Sequence, residues 1–83
     1  MDFRVYVIIE VPILDKKYEL LMPIDRRIHD IIQTLKRAIP ELTEGYYENN
    51  TPNIYNKSNG DIYNINTIIK ESNIRTGTRL VLL

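Results

Sequence analysis

Only one long stretch of this chain repeats its apolar residues at helical spacing. Ile28, Ile31, Ile32, Leu35 and Ile39 fall at i, i+3, i+4, i+7 and i+11, which is one face of an amphipathic helix of about four turns. Asp25 is placed to cap its start. Pro40 ends it, because proline lacks an N–H and disfavours the helical region at Ile39. Arg26, Asp30, Gln33 and Arg37 fall on the solvated side, with Arg26 and Asp30 spaced to pair at i,i+4. A lone helix with so apolar a stripe must bury it against another layer. The rest of the chain has to supply that layer.

It reads as strands. Ile, Val and Thr supply 24 of 83 residues, whereas Ala occurs once, a balance that favours sheet. In residues 3–11, Phe3, Val5, Val7, Ile9 and Val11 share one face, and Arg4, Tyr6, Ile8 and Glu10 the other. Pro12 and the Asp15-Lys16-Lys17 cluster break that strand. Tyr18, Leu20, Met22 and Ile24 alternate with Glu19 and Leu21, so a second strand returns antiparallel to the first. After the helix comes a polar loop, residues 41–52. Residues 53–57 and 61–64 then flank Asn59-Gly60, a strong signal for a tight hairpin. Residues 65–70 suggest a short helical turn, Thr76-Gly77-Thr78 a turn, and residues 79–83 a last strand. The order is ββ-α-ββ-β. Burying the isoleucine stripe on one sheet face is most economical with the last strand parallel to the first, in the sheet centre. The expected fold is therefore an α+β β-grasp, one helix on a mixed sheet, formed by a single domain over residues 1–83.

Composition removes whole classes of function. Eleven basic residues balance eleven acidic ones, which argues against a general polyanion binder. The absence of cysteine excludes disulfides and thiolate zinc sites, and a single histidine excludes a multi-histidine metal cage. The longest nearly continuous apolar run, residues 5–9, is far too short to cross a bilayer. No secretory leader pattern opens the chain. A cytoplasmic protein is expected, without membrane insertion.

The closing segment, with Ile74, Gly77, Leu80 and Leu82 in the pattern Ile-x-x-Gly-x-x-Leu-x-Leu, resembles that of the ubiquitin-like family. Physically, Ile74 anchors the turn, Gly77 permits a positive φ, and the two leucines re-enter the core. The junction Tyr18-Glu19-Leu20-Leu21-Met22-Pro23, followed by Ile28-x-x-Ile31-Ile32-x-x-Leu35, is similar to that of the YukD/EsaB proteins of type VII (WXG100) secretion systems in Gram-positive bacteria. That resemblance implies a cytosolic accessory or regulatory subunit that works by docking. Conjugated relatives and sulfur carriers end in Gly-Gly. Here Leu83 follows the last strand directly, so conjugation and sulfur transfer are not expected of this sequence.

No constellation of side chains points to catalysis, a metal or a cofactor. His29 falls at the flank of the buried stripe, and Ser58 and Ser72 lie at distant turn positions without a base. Glu41, Glu44 and Glu48 lack the spaced ligands of a calcium loop. Tyr46-Tyr47 suits either covering the helix end or an interface. No Gly-rich phosphate loop occurs, and no RNP or KH motif, so nucleic acid is not an expected partner. The sheet face opposite the helix is more telling. Alternation sends Tyr6, Ile8, Leu21, Tyr55, Val81 and Leu83 there. An apolar set on an uncovered face stays wet or meets a partner, and ubiquitin uses this face for binding. The expected function is that of a non-conjugating, protein-binding secretion accessory. The alternatives are a β-grasp carrier or enzyme-associated module, or a small RNA-binding β-grasp domain.

Overall fold

The computed structural model describes residues 3–42 and 52–83. Strand β1 (Arg4–Val11) pairs antiparallel with β2 (Lys16–Pro23), with Val7 opposite Leu20 and Tyr6 opposite Leu21. The link is a single 3-10 turn, Pro12–Leu14. Asp15 then takes the left-handed conformation (φ 52°) that an Asx residue tolerates. Helix α1 (Ile28–Ala38) follows. After the segment outside the described residues come β3 (Ile54–Asn56) and β4 (Thr78–Leu82). The sheet order is β2-β1-β4-β3. β4 lies parallel to β1, with Ile9 opposite Leu80, and β3 runs antiparallel to β4. This is the β-grasp read from the sequence, with the last strand in the sheet centre.

The helix stripe explains the core. Ile28, Ile31, Ile32 and Leu35 are buried and share one apolar cluster with Val5, Val7, Ile9 and Val11 of β1, Met22 of β2, Ile54 of β3, and Leu80 and Leu82 of β4. Ile39 at the end of the helix, Leu42 and Ile69 from 3-10 turns, and Ile74 from the segment before β4 complete it. No polar or charged residue is buried among the described residues. The cluster is held by apolar burial alone, worth roughly 25 cal/mol per Å² removed from water. Ile39 donates its backbone N–H to the Leu35 carbonyl at 2.8 Å as α1 stops, and Pro40 opens a 3-10 turn that buries Leu42.

Four local readings change. Asp25 does not cap the helix. It lies in an exposed turn after β2, and Arg27 first bridges Ile68 in extended conformation. The helix starts one residue later, so the carboxylate in reach is that of Asp30, whose Oδ2 accepts the Arg27 N–H at 3.0 Å. Asp30 is thereby engaged with backbone near the positive helix end rather than with the Arg26 side chain. Asn59-Gly60 does not make a two-residue turn, because only Gly60 has positive φ (77°). Asn56 takes over: its carbonyl accepts the Gly60 N–H at 2.7 Å and its Oδ1 the Ser58 N–H at 2.8 Å. Asn64 Oδ1 accepts the Asn66 N–H at 2.9 Å and turns the chain again, so the return arm is only a bridge, Tyr55 to Ile62. Side-chain bonds of this kind compete with a ladder. The helical turn expected at 65–70 is a 3-10 turn at Ile69–Glu71. Phe3, in phase with the core, is 60% exposed, because it precedes β1 at the rim of the sheet. Tyr46-Tyr47, Glu44 and Glu48 lie outside the described residues.

Candidate protein-binding face

Pairing registers set out the uncovered face as rows across the sheet. The first joins Leu21 to Tyr6. The next runs Glu19, Ile8, Arg79, then Lys57, whose N–H donates to the Arg79 carbonyl at 3.0 Å. The third runs Lys17, Glu10, Val81, Tyr55. Beyond it, Leu83 and Asn53 exchange backbone hydrogen bonds at 2.7 and 2.9 Å. The six apolar residues singled out from alternation thus share one face. They form two groups: Leu21, Tyr6 and Ile8 toward β2, and Val81, Tyr55 and Leu83 toward β3. Leu21 and Leu83 are each 52% exposed, and the other four are half-buried.

Charged residues separate the two groups. Glu10 accepts a hydrogen bond from Lys57 Nζ at 2.7 Å, and Lys17 Nζ stands 3.5 Å from the same oxygen. The Lys57 bond, aided by both ammonium charges and opposed by partial desolvation, holds the Glu10 carboxyl below its ordinary pKa. The nearby Glu19 carboxylate, chiefly as a hydrogen-bond acceptor for the phenol and also through its charge, raises the Tyr6 hydroxyl above its usual pKa, with desolvation adding to the shift. Ile8, Glu10, Lys17, Glu19, Lys57 and Arg79 line a shallow depression here. Selecting apolar residues alone missed this band. The same alternation that exposes Leu21 and Val81 also exposes Glu19, Lys17 and Arg79. Only the β3–β4 pairing brings Lys57 to Glu10.

His29 sits half-buried on the helix flank. Its backbone N–H reaches the Ile65 carbonyl at 2.8 Å, and its Nε2 lies 3.2 Å from Gln33 Nε2, while Nδ1 is buried with no hydrogen-bond partner. The Ser72 hydroxyl donates to the Ile69 carbonyl at 2.6 Å. Among the described residues, no group of three His, Cys, Asp or Glu side chains is placed to hold a metal ion. None of their helices is long and apolar enough to cross a membrane.

Among the described residues, one α-helix crosses a mixed four-stranded sheet with a parallel central pair and leaves the other sheet face bare, which is the ubiquitin-like β-grasp. Solved structures share it. A designed protein based on ubiquitin matches with a TM-score of 0.73 at 22% identity, over 100% of this chain and 90% of that one. The ubiquitin-like domain of yeast Ddi1 matches with a TM-score of 0.70 at 18% identity, over 99% and 90%. A chain of an ESX-5 inner membrane complex matches with a TM-score of 0.65 at 14% identity, over 98% of this chain but 21% of its own. At these identities the likeness is one of fold. No family model and no curated protein sequence matches the chain.

Proposed function

We propose that this chain is a ubiquitin-like docking module that serves a type VII secretion system as an accessory or regulatory subunit and performs no catalysis of its own. The observation that supports docking is the uncovered sheet face, where two apolar groups flank a charged band. A face that no described element of the fold covers, bearing half-buried aliphatic and aromatic side chains, is suited to a partner surface. The secretion assignment rests on the YukD/EsaB-like strand-to-helix junction, residues 18–35, and on a shared fold with part of a chain in an ESX-5 inner membrane complex.

The test is co-expression of the tagged protein with the WXG100 substrate and FtsK-type ATPase of such a system. Ile8→Lys and Val81→Glu are expected to keep the parent circular dichroism and lose capture of the system's components, because each buries an unpaired charge in the interface. Gln33→Ala and Arg37→Ala, on the helix's outer side, are expected to keep capture. Folded open-face variants that still bind, beside helix variants that fail, would move the site to the helix.

A further inference from the structure

The charged band also defines the chemistry of the partner. Its charges do not cancel: Lys17, Lys57 and Arg79 stand against Glu10 and Glu19, an excess of one positive charge. Glu10 is engaged within the fold by the two lysines. Arg79 is not engaged in this way. It is exposed, lies between Ile8 and Lys57 in its row, and makes no side-chain hydrogen bond or ion pair among the described residues. A guanidinium set between two apolar groups offers a planar fork for a carboxylate, with aliphatic surface on either side.

From this placement, and resting on the docking reading above, we infer that the face takes a peptide segment of a partner protein with an Asp or Glu between apolar residues. The carboxylate pairs with Arg79, while the flanking side chains cover Ile8 and Leu21 on one side and Val81 and Tyr55 on the other. A nucleic-acid strand is the poorer occupant, because Glu10 and Glu19 interrupt the track that successive phosphates would follow.

The experiment selects binders to the immobilised protein from a random displayed peptide library. Selected peptides are expected to be enriched in Asp or Glu flanked by apolar residues. Arg79→Glu should weaken them about tenfold or more and turn the enrichment toward Lys and Arg. Arg79→Lys should keep the acidic preference at reduced affinity. An enrichment that lacks acidic residues, or one that survives Arg79→Glu unchanged, overturns the inference. So does displacement of the peptides by a homopolymeric RNA whose own binding is lost in Arg79→Glu. Ile8→Lys and Val81→Glu separate the two readings. If they leave peptide binding intact, the open face itself is wrong. If they abolish it while Arg79→Glu does nothing, only the carboxylate pairing fails.

Discussion

The two faces of β1 follow one alternation and meet two different solvents. Val5, Val7, Ile9 and Val11 are buried beneath α1, whereas Arg4, Tyr6, Ile8 and Glu10 are exposed or half-exposed on the other side. The side chains on the two faces differ less than their surroundings do, since Ile8 is as apolar as Ile9. A hydrophobic residue in a strand therefore gains its structural role from the layer that covers it. The same residue type on the bare side is available for association. Each substitution below perturbs one side of this contrast.

The largest effect is expected on the covered face. Ile32 and Leu80 are both fully buried, facing each other's layer in one cluster. Truncating either to Ala leaves a cavity the surrounding side chains fill only in part, at a cost of about 2–5 kcal/mol. A domain of this size has on the order of 5 kcal/mol in all, so urea unfolding should show either variant unfolded or close to it. An Ile32→Ala protein with the parent midpoint would mean that the helix buries a different stripe.

Next in size is the turn that decides which face each β4 residue meets. Gly77 has φ 92° and donates its N–H to the Tyr6 carbonyl at 2.8 Å, directly before Leu80 and Val81 divide between core and open face. A Cβ there would touch nothing within 4 Å, so the cost of Gly77→Ala is backbone strain alone, about 1–2 kcal/mol. Slippage by one residue would exchange Leu80 and Val81 between faces. The variant should therefore lose stability and keep its fold, with the chemical-shift pattern of β4 preserved. Shifts reassigned along β4 would show that the turn, rather than core burial, holds the register.

On the bare face, charge should cost the fold little. Ile8→Lys exchanges one half-buried aliphatic side chain for another whose ammonium reaches water. A loss of no more than about 1 kcal/mol is expected in urea. A collapse comparable to that of Leu80→Ala would show that Ile8 is covered in the free protein, and the contrast between faces would fail.

The residues that fixed the architecture were legible because they are periodic. The helix stripe from Ile28 to Leu35, the β1 alternation and the Ile74–Leu82 spacing each repeat over several residues, and burial enforces the repeat. Legibility ended where one hydrogen bond decided the outcome. Asp30 displaced Asp25 as the carboxylate at the helix start, and Asn56 organised the turn that Asn59-Gly60 signals. No periodicity encodes such choices between neighbouring polar groups. The candidate face was half legible. Alternation placed Tyr6, Ile8, Leu21, Tyr55, Val81 and Leu83 together, but the cluster of Lys17 and Lys57 on Glu10 joins β2, β1 and the residue that follows β3, and needs the pairing register.

The smallest expected effect is a dependence on pH, confined to the bare face. Among the described residues no ionisable side chain is buried in the core, so this dependence tests the open face. Glu10 is held below its ordinary pKa chiefly by the hydrogen bond from Lys57, with Lys17 assisting. A carboxyl whose pKa is lower folded than unfolded binds fewer protons in the folded state. Its contribution is then complete above the unfolded glutamate's pKa, and it is lost as the pH falls below about 4.3 and through the lower folded value. Glu10→Gln cannot titrate and keeps nearly the same shape. The variant should be somewhat less stable than the parent at neutral pH, and the gap should close on acidification. Added salt should narrow it as well, because an ion pair at this exposure is screened. Urea midpoints for the two proteins, measured from neutral to acid pH at low and high salt, decide the matter. A gap that persists in acid would mean that Glu10 acts through packing rather than charge. Lys57 would then be as free as Arg79 to meet a partner's carboxylate.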